Sequence, residues 1–177
     1  MNTNLLLVSP YNVNFYGGVQ NQVNLFKNGL DSFNFNVRLL APDSSDYDIG
    51  RSIKIPFNGS SNPISLIPDK EILNQAIAWA DIIHIHEPFI PLFFWRLKTS
   101  KKIVVTHHAK ISKFIYLGLK FLYLTLNNKN FYSTAVSKEA KANALTLSKT
   151  TRIIPNFIVI DEDISCLLYT SDAADDA

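Results

Sequence analysis

The chain has 177 residues, 47% hydrophobic and 12% aromatic, with 17 basic and 15 acidic side chains for a formal charge of +2. This fits one domain, or one domain with a fragment of another, and excludes a chain disordered throughout. No apolar run reaches membrane-spanning length, the N-terminus lacks a signal pattern, and Lys and Arg do not cluster as in a nucleic-acid binder. The expected placement is cytoplasmic, with at most peripheral contact with the inner face of the cell membrane.

Residues 4–10, "NLLLVSP", predict a short buried strand, after which Val19, Val23, Phe26 and Leu30 recur on one face of a helix. "FNVRLLAP" (35–42) predicts a second strand, ended by Pro42 and a polar loop through Asp48. "RSIKIPF" (51–57) predicts a third, closed by the turn-rich "NGSSNP". Pro68 then opens a helix through Trp79, with Ile72, Leu73, Ala76 and Ile77 facing inward. "DIIHIHEP" (81–88) and "KIVVTHH" (102–108) are strands around a short helix, "PLFFWRLK" (91–98), and a long helix follows over 111–126. "FYSTAVS" (131–137) is a strand, Ser137 caps the helix "KEAKANALTL", and "TRIIPNF" (151–157) is the last strand.

Strands that are apolar throughout and alternate with helices imply a parallel sheet covered on both faces. The fold class is therefore α/β, a doubly wound, Rossmann-like domain. Ligands of such sheets bind beyond the carboxyl ends of the strands, where the strand order reverses. "SPYNVNFYGG", "NGS", "HIHEP" and "THHAK" all fall on that edge.

Gly17 and Gly18 stand at the start of the first helix, where unpaired N–H groups and the positive dipole end attract an anion. Glycine there admits a phosphate to the backbone, although a glycine pair could equally serve only to turn the chain. The loop lacks the spacing of a dinucleotide fingerprint. His84 and His86 share a strand face and His107-His108 lies nearby, but the further Asp and His ligands of a metal hydrolase are missing around them. A non-metal polar site, with His108 orienting a hydroxyl, fits better. "FFWRLKTSKK" and "KISKFIYLGLKFLYL" mix aromatic and basic residues, as helices on anionic lipid do, and as helices packed on a sheet also do.

The closing segment differs from the rest. "SCLLYTSDAADDA" carries the single cysteine, Cys166, and resembles translated adapter sequence, so 166–177 is expected to be non-native. Without Asp172, Asp175 and Asp176 the balance becomes 17 basic to 12 acidic, a bias suited to anionic small molecules or lipid. A cysteine-free remainder fits a reducing compartment.

Taken in order, "PYNVNFYGGVQNQV", "VRLLAP", "IKIPFNGS", "DIIHIHEP", "VVTHHAK", "AVSKEAK" and "IIPN" resemble the N-terminal domain of family 4 retaining glycosyltransferases of the GT-B fold. The likeness is greatest to phosphatidylinositol mannosyltransferases. It implies an acceptor-side domain over 1–156, the start of an interdomain linker over 157–165, and a donor-binding C-terminal domain that this chain lacks. It further implies a nucleotide-sugar donor, GDP-mannose, a phospholipid or polyol acceptor such as phosphatidylinositol, and no cofactor or metal. By motif, Gly17 and Gly18 would contact the donor diphosphate and His108 would sit at the reaction centre. Tyr11, Asn14, Gln20 and Lys113 would line the acceptor pocket, with Asn58, His86 and Glu87 on the cleft wall. Asn14 replaces the Asp common in close relatives, and the arginine that phosphatidylinositol-using members carry after "NGS" has no equivalent in "SNPISLIP". Two other readings stand beside this one: a free-standing sugar- or phosphate-binding module that pairs with a separate donor domain, and a metal-dependent hydrolase.

Overall fold

The structure is a computed structural model that describes residues 2–44, 46–50, 52–54, 63–65, 69–87, 99–110, 131–144 and 150–158. Its central feature is a parallel sheet of seven strands: β1 (Thr3–Val8), β2 (Phe35–Ala41), β3 (Tyr47–Asp48), β6 (Ile82–His86), β7 (Lys102–His107), β8 (Phe131–Ala135) and β9 (Thr151–Ile153). Their order is β3-β2-β1-β6-β7-β8-β9, so the chain reverses its direction of winding between β1 and β6. The expected Rossmann-like α/β sheet is present.

Register divides the sheet into two faces. Leu7 lies beside Leu39 on one flank and His84 on the other, while Val8 lies between Leu40 and Ile85. On the first face, Leu5, Leu7, Leu39 and Ala41 pack under helix α1 (Gly18–Gly29) through Val23, with Val19, Phe26 and Leu30 around them. The predicted apolar stripe of α1 is thus the one buried. On the other face, Leu6, Val8, Leu40, Ile83, Ile85, Ile103 and Val105 pack against helix α2 (Lys70–Trp79) through Leu73 and Ala76. Each fully buried leucine of β1 contributes about 1.5–3 kcal/mol relative to exposure. The central strands are apolar on both faces for this reason.

The helices start differently. Asp69, the residue before α2, accepts N–H bonds from Glu71 (2.8 Å) and Ile72 (3.1 Å) through one carboxylate oxygen. Helix α3 (Lys138–Ala144) is capped as expected by Ser137, whose Oγ accepts from Ala140 N at 3.2 Å. Helix α1 begins on Gly17 with no side-chain cap and no acid in its first turn.

Two expectations change. The segment read as the third sheet strand instead supplies β4 (Ser52–Lys54), which pairs antiparallel with β5 (Pro63–Ser65) as a separate two-stranded ribbon. The place beside β2 goes to β3, inside the stretch read as a polar loop: Tyr47 and Asp48 pair with Leu40 and Ala41, and Ile49 behind them is fully buried. A two-residue strand is too short to display any period. The helices expected over 91–98 and 111–126, the "NGSSNP" cluster and Pro68 lie outside the described residues.

Candidate active site at the ends of β1, β6 and β7

The reversal between β1 and β6 leaves a crevice at their carboxyl ends, flanked by the end of β7. The loop after β1 is ordered by its own short side chains. Ser9 Oγ accepts from Tyr11 N (3.2 Å) and donates to Tyr11 O (3.1 Å), and Asn12 Oδ1 accepts from Asn14 N at 2.9 Å, an Asx turn. Asn12 Nδ2 donates to the carboxylate of Asp43, joining this loop to the one after β2. Asn14 is exposed and its amide donates to Asp43 O at 3.4 Å. Tyr11 is buried, and burial followed by the nearby charge of Glu87 pushes its phenol above the ordinary range.

The two glycines differ in their surroundings. At Gly17 a Cβ would lie 2.2 Å from Gln20 Oε1 and 2.7 Å from Gln20 Cδ; at Gly18 it would meet nothing within 4 Å. Gly17 has an extended backbone (φ 178°), so its requirement for glycine is one of space and not of strain. Gln20 is 1% exposed beneath it, and both its amide atoms are buried without hydrogen-bond partners. Gly17, Gln20 and Asn14 border one hollow of about 270 Å³ together with Val13, Phe15, Tyr16, Asn21 and Asn24.

Behind the crevice His84, His86 and His108 form a ladder. His84 and His86, both on the α1 face of β6, stack at 4.3 Å between ring centroids, and Phe26 meets each edge-on at 5.2 and 5.4 Å. His86 Nδ1 lies 3.1 Å from Nε2 of His108, the residue after β7. His84 Nε2 lies 2.8 Å from Thr106 Oγ1, which lies 2.8 Å from Thr134 Oγ1; Thr134 in turn donates to Val105 O at 3.1 Å. Thr134 has spent its proton on Val105, so it accepts from Thr106, and Thr106 accepts from His84. His84 is therefore the Nε2–H tautomer. Burial pulls His84 and His108 down to about 4 and His107 to about 3, with the charge of His108 adding to the shift of His84 and of His107. His86 is held well below its ordinary value, by burial first and then by its two histidine neighbours. At neutral pH the whole ladder is uncharged.

Glu87 follows β6 in a left-handed conformation (φ 58°) that a non-glycine residue adopts only under constraint. Its backbone N–H donates to Thr106 O (2.9 Å), while its carboxyl Oε2 accepts from His108 N at 3.3 Å. Burial pushes this carboxyl up to about 8, against the lowering effect of hydrogen bonds from the backbone of His108 and Ala109. Oε1 is buried without a partner, as suits a group that is largely a neutral acid at pH 7.

The Glycosyltransferase Family 4 model matches residues 16–162, which include α1, the histidine ladder and every strand from β2 onward. The chain belongs to glycosyltransferase family 4. Among its relatives are the phosphatidyl-myo-inositol mannosyltransferases of Mycobacterium leprae (strain TN) and Mycolicibacterium smegmatis (strain ATCC 700084 / mc(2)155). Each is 31% identical over 127 residues, covering 64% of this chain and 33% and 32% of the relative respectively. The family 4 chain thus spans about a third of the length of these relatives.

Of the residues singled out in the family 4 sequence, the structure places Tyr11, Asn14, Gly17, Gly18, Gln20, His86, Glu87 and His108 around the reversal point. Asn58 and Lys113 lie outside the described residues. His86 and Glu87, expected on the cleft wall, are instead 0% and 2% exposed, beneath His108 and in contact with it. Strand alternation explains this: His86 turns inward toward Phe26 in the layer under α1. The relay through Thr106 and Thr134 and the link from Asn12 to Asp43 were not anticipated. Each joins residues at least 22 positions apart, and only strand order brings them together. Among the described residues, no three His, Cys, Asp or Glu side chains are grouped to hold a metal ion, and no helix is long and apolar enough to cross a membrane.

Proposed function

We propose that this chain is the acceptor-side half of a retaining hexosyltransferase that moves mannose from GDP-mannose onto a lipid-linked or polyol acceptor such as phosphatidylinositol. The observation that carries the reading is the start of α1, the one described α-helix without a side-chain cap, where the space in front of Gly18 is open. The N–H groups of its first turn would hold the donor diphosphate and stabilise the charge that develops on it as it leaves. This electrostatic work asks nothing of a metal or other cofactor.

In this reading His108, a neutral imidazole at the end of β7, bonds hydroxyls of the sugar and of the acceptor. Tyr11, Asn14 and Lys113 border the acceptor. Gln20, whose buried amide has no partner, would join them. Asn58 would line the cleft beside them. The inositol named in its relatives supports the acceptor class, whereas the lack of an arginine in "SNPISLIP" weighs against an identical headgroup contact. The basic and aromatic segments 93–102 and 110–124 would rest the protein peripherally on anionic lipid at the cytoplasmic face.

The test is transfer by a version of the protein extended through a donor domain, offered GDP-mannose with phosphatidylinositol or free inositol. Mannosyl transfer by the extended protein, with essentially none by the 177-residue chain, is the expected result. Enzyme-like turnover by the short chain alone refutes the half-site reading. Binding without transfer, restored by a separately encoded partner, would favour a free-standing module.

A further inference from the structure

Resting on that placement of His108 at the reaction centre, we infer that His86 is a positioning residue: by engaging Nε2 of His108 it reserves Nδ1 of His108 for an uncharged hydroxyl of the ligand.

The geometry is specific. His86 Nδ1 and His108 Nε2 are 3.1 Å apart with ring planes 26° apart, so one proton bridges them whichever ring donates it. His86 has no freedom to turn away. It is fully buried, in contact with the His84 ring tilted at 34° and met edge-on by Phe26, and its backbone is held in register with Thr106 of β7. His84 is fixed in turn by the Thr106–Thr134 relay. His108 is thus anchored twice, through its backbone N–H on Glu87 Oε2 and through Nε2 on His86. The ring nitrogen left over is Nδ1, which bonds one of the two ligand hydroxyls at a time.

The chemistry of that nitrogen follows from its neighbours. The buried rings of His84 and His86, the half-buried ring of His108 and the buried carboxyl of Glu87 crowd the same corner, and a cation on His108 would face His86 directly. A single neutral ring suits a hydroxyl, which donates or accepts, whereas a phosphate is better met by several N–H groups at the positive end of a helix dipole. The structure therefore assigns the diphosphate to the start of α1 and the hydroxyl to His108. The two ligand parts are sorted by charge.

The experiment is long-range proton–nitrogen correlation on the 177-residue chain labelled with 15N-histidine at pH 7. Expected are neutral rings for His86 and His108, each in one tautomer, with a nitrogen–nitrogen coupling across the shared proton. His86→Phe should leave His108 averaging between tautomers, while His86→Asn, whose Nδ2 falls near the lost Nδ1, should restore a single form. In the extended enzyme His86→Phe should lower kcat about 10–100-fold with the KM for GDP-mannose within about threefold, the pattern of a misplaced reacting group. No coupling in the wild-type chain, or unchanged His108 signals in a folded His86→Phe variant, overturns the inference. The wild-type coupling decides the matter if that variant does not fold. An extended protein that transfers no sugar refutes the proposed function without altering the nitrogen signals, so the two failures are distinguishable.

Discussion

The carboxamide of Gln20 fills the space in which a side chain at Gly17 would begin, with its Oε1 2.2 Å from where that Cβ would stand. Gly18, the next residue, has nothing within 4 Å in the same direction. Two adjacent glycines thus answer to different demands. Gly17→Ala should push aside the flexible, unpartnered end of the Gln20 side chain and cost about 0.5–1.5 kcal/mol, read as a lower denaturation midpoint. Gly18→Ala should leave stability within about 0.5 kcal/mol. In the extended enzyme it should weaken nucleotide-sugar binding, because the methyl group enters the open space. Equal midpoints for the two variants would contradict this division of roles.

Gln22 and Phe157 give a second test. Gln22 Nε2 donates to Phe157 O at 2.7 Å and its Oε1 accepts from Phe157 N at 3.3 Å, so one side chain satisfies both backbone groups of a distant residue. Phe157 also meets Phe26 edge-on at 5.0 Å. Gln22→Ala should cost about 1–3 kcal/mol, since the partly buried backbone groups lose their partner. Hydrogen exchange at Phe157 N–H should quicken with it. Unaltered exchange would show that the apolar contact alone holds the segment.

Acid should unfold the chain well above the usual carboxylate range. The histidines stay neutral in the folded state to about 4 (His84, His108) or about 3 (His107), whereas unfolded histidine takes up protons near 6.5. Their stabilising effect is complete above 6.5 and is lost as pH falls toward 4, by up to about 1.4 kcal/mol per pH unit for each group. Glu87 acts oppositely: raised to about 8, it favours the fold most below 4.5 and loses that effect as pH rises through 8. Four histidines outweigh one acid, so the urea midpoint should fall clearly from pH 7 to pH 5. A flat profile over that range would mean that the ladder is charged or exposed in solution.

The Thr106–Thr134 relay predicts that Thr134→Val acts at a distance. Without an acceptor Thr106 turns its hydroxyl proton elsewhere, and the Nε2 bond of His84 loses its fixed direction. The expected cost is about 1–2 kcal/mol. The 15N signals of His84 should shift from one tautomer toward a mixture. Retention of a single His84 tautomer would show that stacking on His86 suffices.

The sheet was legible because its central strands are apolar on both faces, as over 5–8 of β1 and 103–105 of β7. Ser137 was legible as a cap because a hydroxyl before an apolar-periodic run has few other uses. Tyr47 and Asp48 were not, since their role is to border β2, and a two-residue contact leaves no pattern. At the site, chain order brought Gly17, Gly18 and His108 to one edge, but depth was hidden. Nothing in "HIHEP" distinguishes a histidine lining a crevice from one packed beneath it. That difference arises from Phe26, 60 positions earlier, closing over His86.

The sheet is long at its middle and short at its margins: six residues in β1 and seven in β2, against two in β3 and three in β9. A foreign strand arriving at β3 finds room for only one or two backbone bonds, too few to offset the entropy of ordering it. At β9 the offer is little larger, although Ile153 and Ile154 beside it are partly open to water. Among the described residues, the taper leaves a foreign strand little edge on which to extend the sheet.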